Sequence, residues 1–477
     1  MLKRSWIIAL ALAAAPLGAE EEPPARLDPA GPNAPAATPA ALNELGSVPD
    51  YRSPGCPGCP ERHALRAIGE AISVNIAVNW FDRKTHAEPD QFYTYPKTWW
   101  ENLKHGYVFD DNNFSTNQFA HPYHGSTYFN AGRSNGLSYW ESAPLAALGS
   151  FTWECCGEKH PPSFNDFIAT TMGGIAVGEV LHRVGNLVRS NRATGGGRIW
   201  RETAGFILNP VTGVNRLTNG DAWEVREDPR DKRPDYLGGQ LDVGNLWRDE
   251  GGSLEHADSG FFAELVLIYG DPFRSRAQKP FDYFLMNARF GGVDKKISQF
   301  NLKGRLFGGR AGPAPARSVF HAQQGFIYIT NPAYELGGQT IDGVYGFYRQ
   351  LAPNTSLAAS ASLSFMPLGS ISAEHVDINE RSYDMGLGTG TELRATLRHR
   401  GYPLVQLGYQ LFFISAVNGS GAAHVAQYMQ GRVGYPVGRF GIGAAAGLYL
   451  RNSYYNDFAD TFQKHPEARV FVSWRLE

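Results

Sequence analysis

The residues able to do chemistry crowd into one stretch ahead of residue 220. In chain order they are Asn117-Gln118, His121-Pro-Tyr-His124-Gly125, Tyr128, Arg133, Trp153-Glu154, Ser163-x-Asn165-Asp166, Gly173-Gly174-x-x-x-Gly178-Glu179 and Arg201-Glu202. His121 and His124 have a spacing that can bring two imidazoles onto one metal, with Asp166 or Glu179 completing the set. Pro122 between them and Gly125 after them read as a turn, where both rings hydrogen-bond to backbone. A metal claim needs ligand count and geometry, so the pair is a weak metal candidate and no cofactor is expected. Glu179-x-x-His182 has the form used in di-iron bundles but lacks the second copy those sites need. Glu179 and Arg183 make a helical i, i+4 ion pair. Asp166, three residues after Ser163, suits a helix N-terminus, where a carboxylate is favoured. Ser126 and Ser163 lie near His124 and Asp166 in chain order, so a Ser/His/Asp set is conceivable, although chain order fixes no geometry. Gly195-Gly196-Gly197 reads as a flexible turn between helices.

The order H-P-x-H-G-S-x-Y, W-E, P-S-x-N-D, G-G-x-x-x-G-E, R-E and N-P resembles the bacterial envelope family called domain of unknown function 3943, over residues 95–220. The resemblance implies an envelope protein and carries no activity with it.

The elements that position these residues are helical. Leu65, Ile68, Ile72, Ile76 and Trp80 recur at helical spacing over 61–82, and Pro96 to Gly106 makes a second short helix. Residues 107–160 read as loop-rich and aromatic. A long helix starts at Ser163 and runs through Ile168, Met172, Ile175, Val180, Val184 and Val188. Its glycines, each costing up to about 1 kcal/mol in a helix interior, call for a close neighbour along Gly174-x-x-x-Gly178. A further helix covers 199–208 and stops at Asn209-Pro210.

Ahead of this domain, residues 1–19 have the basic, apolar and small-residue regions of a cleaved signal peptide. Residues 20–55 are a Pro/Ala-rich linker expected to be disordered. The four cysteines, Cys56, Cys59, Cys155 and Cys156, then reside in an oxidising compartment and are read as disulfide formers. A bridge between the two pairs would close a loop of roughly 100 residues and add ~4–5 kcal/mol by chain entropy.

From residue 235 the hydrophobic period becomes two. Leu357, Ala359, Ala361, Leu363 and Phe365 alternate with Ala358, Ser360, Ser362 and Ser364, and Val405, Leu407, Tyr409, Leu411 and Phe413 follow the same rule. About twelve such segments fit a closed antiparallel transmembrane barrel. The opposite faces are small rather than charged, as in Gly386-x-Gly388-x-Gly390, which leaves lumen space for a packed element or a pore.

The sequence therefore reads as mainly β. A helical, loop-rich domain at 56–220, which packs on or inside the barrel, precedes an outer-membrane β-barrel at 235–477. The formal net charge of -2 excludes nucleic-acid binding by bulk positive charge, and the expected partner is outer-membrane lipid. The leading function is non-enzymatic, a plugged channel or an envelope organiser. The rival is a lipid-acting envelope hydrolase using His121, His124, Asp166 and Glu179, supported by Arg133, Glu154, Ser163, Arg183, Arg201 and Glu202.

Overall fold

The structure, a computed structural model, describes residues 61–476 apart from 87, 230–231, 249–253, 255–256, 274–278, 293–296, 312–315 and 377–380. The expected signal peptide, the linker, Cys56 and Cys59 lie outside the described residues.

Eight α-helices are described ahead of the barrel: α1 Ala64–Thr85, α2 Pro96–His105, α3 His121–Ser134, α4 Tyr139–Cys156, α5 Phe164–Ile168, α6 Gly174–Val188, α7 Gly195–Leu208 and α8 Pro210–Thr218. Twelve strands follow: β1 Leu237–Arg248, β2 Asp258–Tyr269, β3 Phe284–Gly291, β4 Ile297–Ala311, β5 Ala316–Thr330, β6 Glu335–Ala352, β7 Thr355–Ser372, β8 Tyr383–His399, β9 Tyr402–Asn418, β10 Ala422–Val437, β11 Phe440–Tyr455 and β12 Thr461–Leu476. Each pairs antiparallel with its chain neighbours, and β1 pairs with β12, so the sheet closes on itself. Closure leaves no unpaired edge, which is the condition for strands to stand in hydrocarbon.

Three expectations need correction. Residues 107–160 are mostly helical, not loop-rich, and His121-Pro-Tyr-His124 is the first turn of α3 rather than a reverse turn. Pro122 is accommodated beside a widened helical turn rather than at a free helix end, since the His121 N–H bonds the Thr116 carbonyl. This π-helical turn at Thr116–Ala120 leads directly into α3. Gly195-Gly196-Gly197 likewise opens α7 instead of forming a linker.

Polar pairs between strands that are not neighbours identify the lumen. Lys303 on β4 meets Glu392 on β8 at 2.6 Å, Arg289 on β3 meets Glu467 on β12 at 3.4 Å, and Arg432 on β10 meets Asp242 on β1 at 2.6 Å. Arg469 on β12 reaches Glu264 on β2 at 2.6 Å. The glycine positions on the inner face are covered by their neighbours in the sheet: Gly388 lies beside Met366 and Gly390 beside Phe412, their pairing partners on β7 and β9.

Successive strand residues point to opposite faces. Gln323 bonds the lumen residue Asp342, so Gln324 points outward, and Gln324 is the residue bonded to Tyr139 and to the Met172 carbonyl of the helical domain. Leu302 lies between the lumen residues Asn301 and Lys303, and Tyr328 is paired with Phe300 on the same outward face. These side chains, with Tyr269, Phe284, Phe326 and Tyr383, form one core with Phe114, Phe129, Tyr139 and Val180 of the helical domain. Burying each such side chain is worth ~1.5–3 kcal/mol. The helical domain therefore packs on the outside of the barrel wall, the first of the two placements, on or inside the barrel, that the sequence left open.

α3 and the α5–α6 helix run the same way along that wall, from His121 and Asp166 at one end to Arg133 and Glu179 at the other, and α4 returns in the opposite direction. Topology puts the β2–β3 connection at the end holding the start of β1 and the end of β12, and the β7–β8 connection at the opposite end. The first end carries tight turns such as Arg400-Gly401, both at positive φ as a two-residue hairpin turn requires. We call these the turn end and the loop end. Arg183 on α6 bonds the Pro280 carbonyl at the turn end, while Asp110, beside Asp166, holds Arg381 at the loop end through its carbonyl. The helix from α5 to α6 so reaches from one rim to the other. Its close partner is α3: a Cβ on Gly174 would lie 2.5 Å from the Gly125 backbone, the tight approach that the glycine pattern called for.

Candidate functional site

At the loop end a short parallel bridge joins Val108 to Ser163 and brings residues 107–110 against the start of α5. Ser163 caps α5 by accepting the Asp166 N–H at 3.3 Å. The second half of this capping arrangement comes from another helix, since Glu154 of α4 accepts the Ser163 N–H at 2.8 Å. Asn165 then organises the centre. Its side-chain amide donates to Asp110 at 2.6 Å and to Asp166 at 2.9 Å, so two carboxyl groups share one nitrogen. Asn117 donates to Asp110 at 2.7 Å and to the Tyr383 hydroxyl at 2.8 Å, tying the centre to the barrel rim. His121 Nε2 lies 3.4 Å from Asp166 Oδ1, and its Nδ1 is 3.3 Å from the Thr170 hydroxyl.

The electrostatics follow from burial among acids. Burial, with Asp110 beside it and Glu154 and Glu158 near, holds the Asp166 carboxyl well above the usual carboxylate range. Burial also lowers His121, against the opposing pull of Asp110. Glu158, buried and close to Asp110 and Asp82, is pushed up to about 8. Burial thus favours the uncharged forms of both groups, the protonated Asp166 carboxyl and the neutral His121 imidazole. Such a pair can pass a proton at constant charge. Among the described residues, no group of three or more His, Cys, Asp and Glu side chains is arranged to hold a metal.

The remaining expected site residues are distributed elsewhere. His124 Nε2 is 2.8 Å from the Tyr128 hydroxyl, and its ring meets the Trp153 ring edge-on, 5.1 Å away. Glu179 sits toward the turn end, where it accepts from Arg133 and from Arg183, each at 2.8 Å. Arg201 donates to the Val188 carbonyl, and Glu202 pairs with Arg216 at 2.7 Å. Of His121, His124, Asp166 and Glu179, the structure brings together only His121 and Asp166. Cys155 is joined to its neighbour Cys156 rather than to the earlier pair.

Asp110 and Glu158 escape a motif reading because neither has a helical or metal-like spacing to its partners. A second enclosed array escapes it too. In the lumen near the loop end, His424 lies 2.7 Å from Asp384 and 2.9 Å from the Ser453 hydroxyl, and Asp384 accepts the Ser420 N–H at 2.6 Å. The order Asp–His–Ser is that of a nucleophilic triad. All three side chains are buried, and here they tie β8, β10 and β11 to the β9–β10 hairpin.

Residues 106–211 match the family described as domain of unknown function (DUF3943). The DUF3943 region encloses the loop-end cluster, the Glu179 ion pairs and the Gly125–Gly174 contact, and it leaves out α1 and the barrel. No curated protein matches the chain. Among solved structures, the chain is similar to the NanC porin, with a TM-score of 0.27 and 9% identity over 50% of this chain and 100% of that one. It is similar also to the outer membrane channel DcaP of Acinetobacter baumannii, with a TM-score of 0.24 and 8% identity over 50% of this chain and 96% of that one. The Pseudomonas putida toluene transporter TodX gives a TM-score of 0.21 and 9% identity over 51% and 90%.

Proposed function

We propose that this chain is an outer-membrane protein, exported through a cleaved signal peptide, that conducts no solute and serves to hold its helical module against the barrel wall as part of envelope organisation. The observation that carries this reading is the set of ion pairs thrown across the lumen between non-neighbouring strands. Lys303–Glu392, Arg289–Glu467, Arg432–Asp242 and Arg469–Glu264 link strands two to four places apart over the inner face of the barrel. A diffusion pore needs a continuous wet path, and these side chains occupy it. The outward wall supports residence in lipid, since Leu363, Phe365, Leu387, Leu407 and Val472 are exposed there. The test is conductance of the purified protein in planar bilayers. Silence is expected, and stable single-channel steps would overturn the reading.

A second reading, an envelope lipid hydrolase, is favoured by the loop-end cluster alone. Asp166 would donate a proton to a leaving oxygen and His121 would accept one from water, both within a cluster held by Asn165. Asp166→Asn protein that assembles normally but loses turnover of phospholipid or lipid A, followed by chromatography of extracted lipids, would decide for the hydrolase.

A further inference from the structure

We propose that the helical domain lies within the hydrocarbon layer of the outer membrane beside the barrel, with α1 and α7 turned to the lipid acyl chains; this rests on the outer-membrane reading above. The domain has the height for it. α6 touches the turn-end connection through Arg183, and Asp110 next to α5 touches the loop-end connection through Arg381. The seventeen residue steps from Asp166 to Arg183 rise about 26 Å. That is close to the ~30 Å hydrocarbon core of a bilayer.

Its surface also fits. α1 starts at the turn end, where the His63 N–H bonds the Asn135 carbonyl, and ends at the loop end, where Asn79 bonds the Gly157 carbonyl. Between Ala64 and Phe81 its exposed positions carry no charge, and Leu65, Ile68, Ile72, Ile76 and Trp80 form a continuous outer stripe about 23 Å long. Ser73, the one hydroxyl in that stripe, donates back to the Gly69 carbonyl of its own helix. The charged residues of the same segment turn inward: Arg66 bonds Glu70, Asn215 and Asn219. Exposed charges appear at the two ends, at Glu61 and Arg62 and again at Lys84. On α7 the exposed side chains are again uncharged, with Ile199, Trp200, Phe206 and Ile207 among them. α2 adds Trp99 and Trp100 near the loop end, the amphipathic rings found at a membrane interface.

A water-facing module has the opposite pattern, with charges outside and apolar residues inside. Here the charges, Arg133, Glu179 and Arg183, are at the centre of the bundle. No described helix is long and apolar enough to cross a membrane by itself. The two statements agree, because the apolar exposed stripe of α1 is interleaved with Arg66, Glu70 and Asn75, which bond to neighbouring helices. The apolar stripe continues the outward wall of the barrel, which the domain covers in part and leaves bare at Leu363, Phe365 and Leu387.

The experiment places the photoreactive residue p-benzoylphenylalanine at Ile72 on α1, at Leu407 on the barrel wall and at Lys159 on an exposed loop, in full-length protein in intact cells. After irradiation, mass spectrometry reads the mass shift of a covalently added phospholipid or lipid A molecule. Adducts at positions 72 and 407 and none at 159 are expected. Adducts at 407 without any at 72 overturn this inference and leave the barrel in the membrane. Adducts at neither position overturn the outer-membrane reading itself. Ile72→Asp gives a second readout: loss of the assembled, heat-modifiable species is expected, whereas normal assembly contradicts lipid contact at this face.

Discussion

The helix running from α5 into α6 carries two buried carboxyl centres at its two ends, and they solve the same problem differently. Near the turn end Glu179 is matched by Arg133 and Arg183, whose guanidinium groups also bond the Leu137 and Pro280 carbonyls. Near the loop end Asp166 is surrounded by Asp110, Glu154 and Glu158, which with burial favour its protonated form, and the Asn165 amide donates to it. Burying an ion costs several kcal/mol unless it is paired or neutralised. Pairing fixes geometry. Neutralisation leaves a transferable proton. The first centre is built as a clamp between helices and barrel rim, and only the second has the properties an acid–base reaction uses.

The largest effect should come from the clamp. Glu179→Ala leaves Arg133 buried without its carboxylate, a loss of about 3–5 kcal/mol for breaking a buried pair. Band-shift assays on unboiled gels should show little assembled protein. Glu179→Gln keeps part of the hydrogen bonding and should be milder. Equal, near-normal assembly of both would remove the contrast between the centres.

Next comes the helix contact that holds both centres in register. Gly174→Val puts a side chain into the Gly125 backbone, where extra methylenes in a packed site cost roughly 1–3 kcal/mol or more. Urea titration of the folded protein in detergent should show an earlier midpoint. An unchanged midpoint would mean that α3 and α6 are not this close.

At the loop end the effects should be smaller and dependent on pH. Glu158 is raised from 4.5 to about 8, so the folded state binds its proton more tightly than the unfolded state. Its contribution to stability is fully present below 4.5 and falls as pH rises toward about 8. Glu158→Gln should flatten that decline, read as denaturation midpoints at a series of pH values. A slope identical to the parent protein would refute a protonated Glu158. Ser163→Ala removes a helix cap and should cost ~1 kcal/mol. Asp166→Asn resembles the protonated acid and should cost less than the cap.

Much of the barrel was legible because alternation is a local property. Leu363 and Phe365 point outward where the period of two put them, and the closed sheet has the strand number that the pattern implied. The helix beginning at Ser163, the Glu179–Arg183 pair and the glycine contact were readable for the same reason, since helical spacing fixes neighbours three and four residues apart. What was not legible is long-range. Nothing local in Asp110 announces Asn165, and nothing in Asp384 announces His424 and Ser453. The side of the wall taken by the helical domain depends on outward residues such as Gln324, which a strand pattern marks only as a polar interruption. His121-Pro-Tyr-His124 misled because proline and glycine signal turns in isolation and are compatible with the first turn of a packed helix.

The account turns on which face of the barrel receives the helical domain, and two adjacent residues decide it. Gln323 points into the lumen toward Asp342, and Gln324 points outward, its side chain 2.5 Å from the Tyr139 hydroxyl. A photocrosslinking residue at each position, followed by peptide mapping, makes the comparison within a single strand. The account predicts that position 324 crosslinks to α4 or to the segment around Met172, and that position 323 crosslinks only to other strands. A crosslink from position 323 into the helical domain, with none from 324, would place that domain inside the barrel and contradict the account.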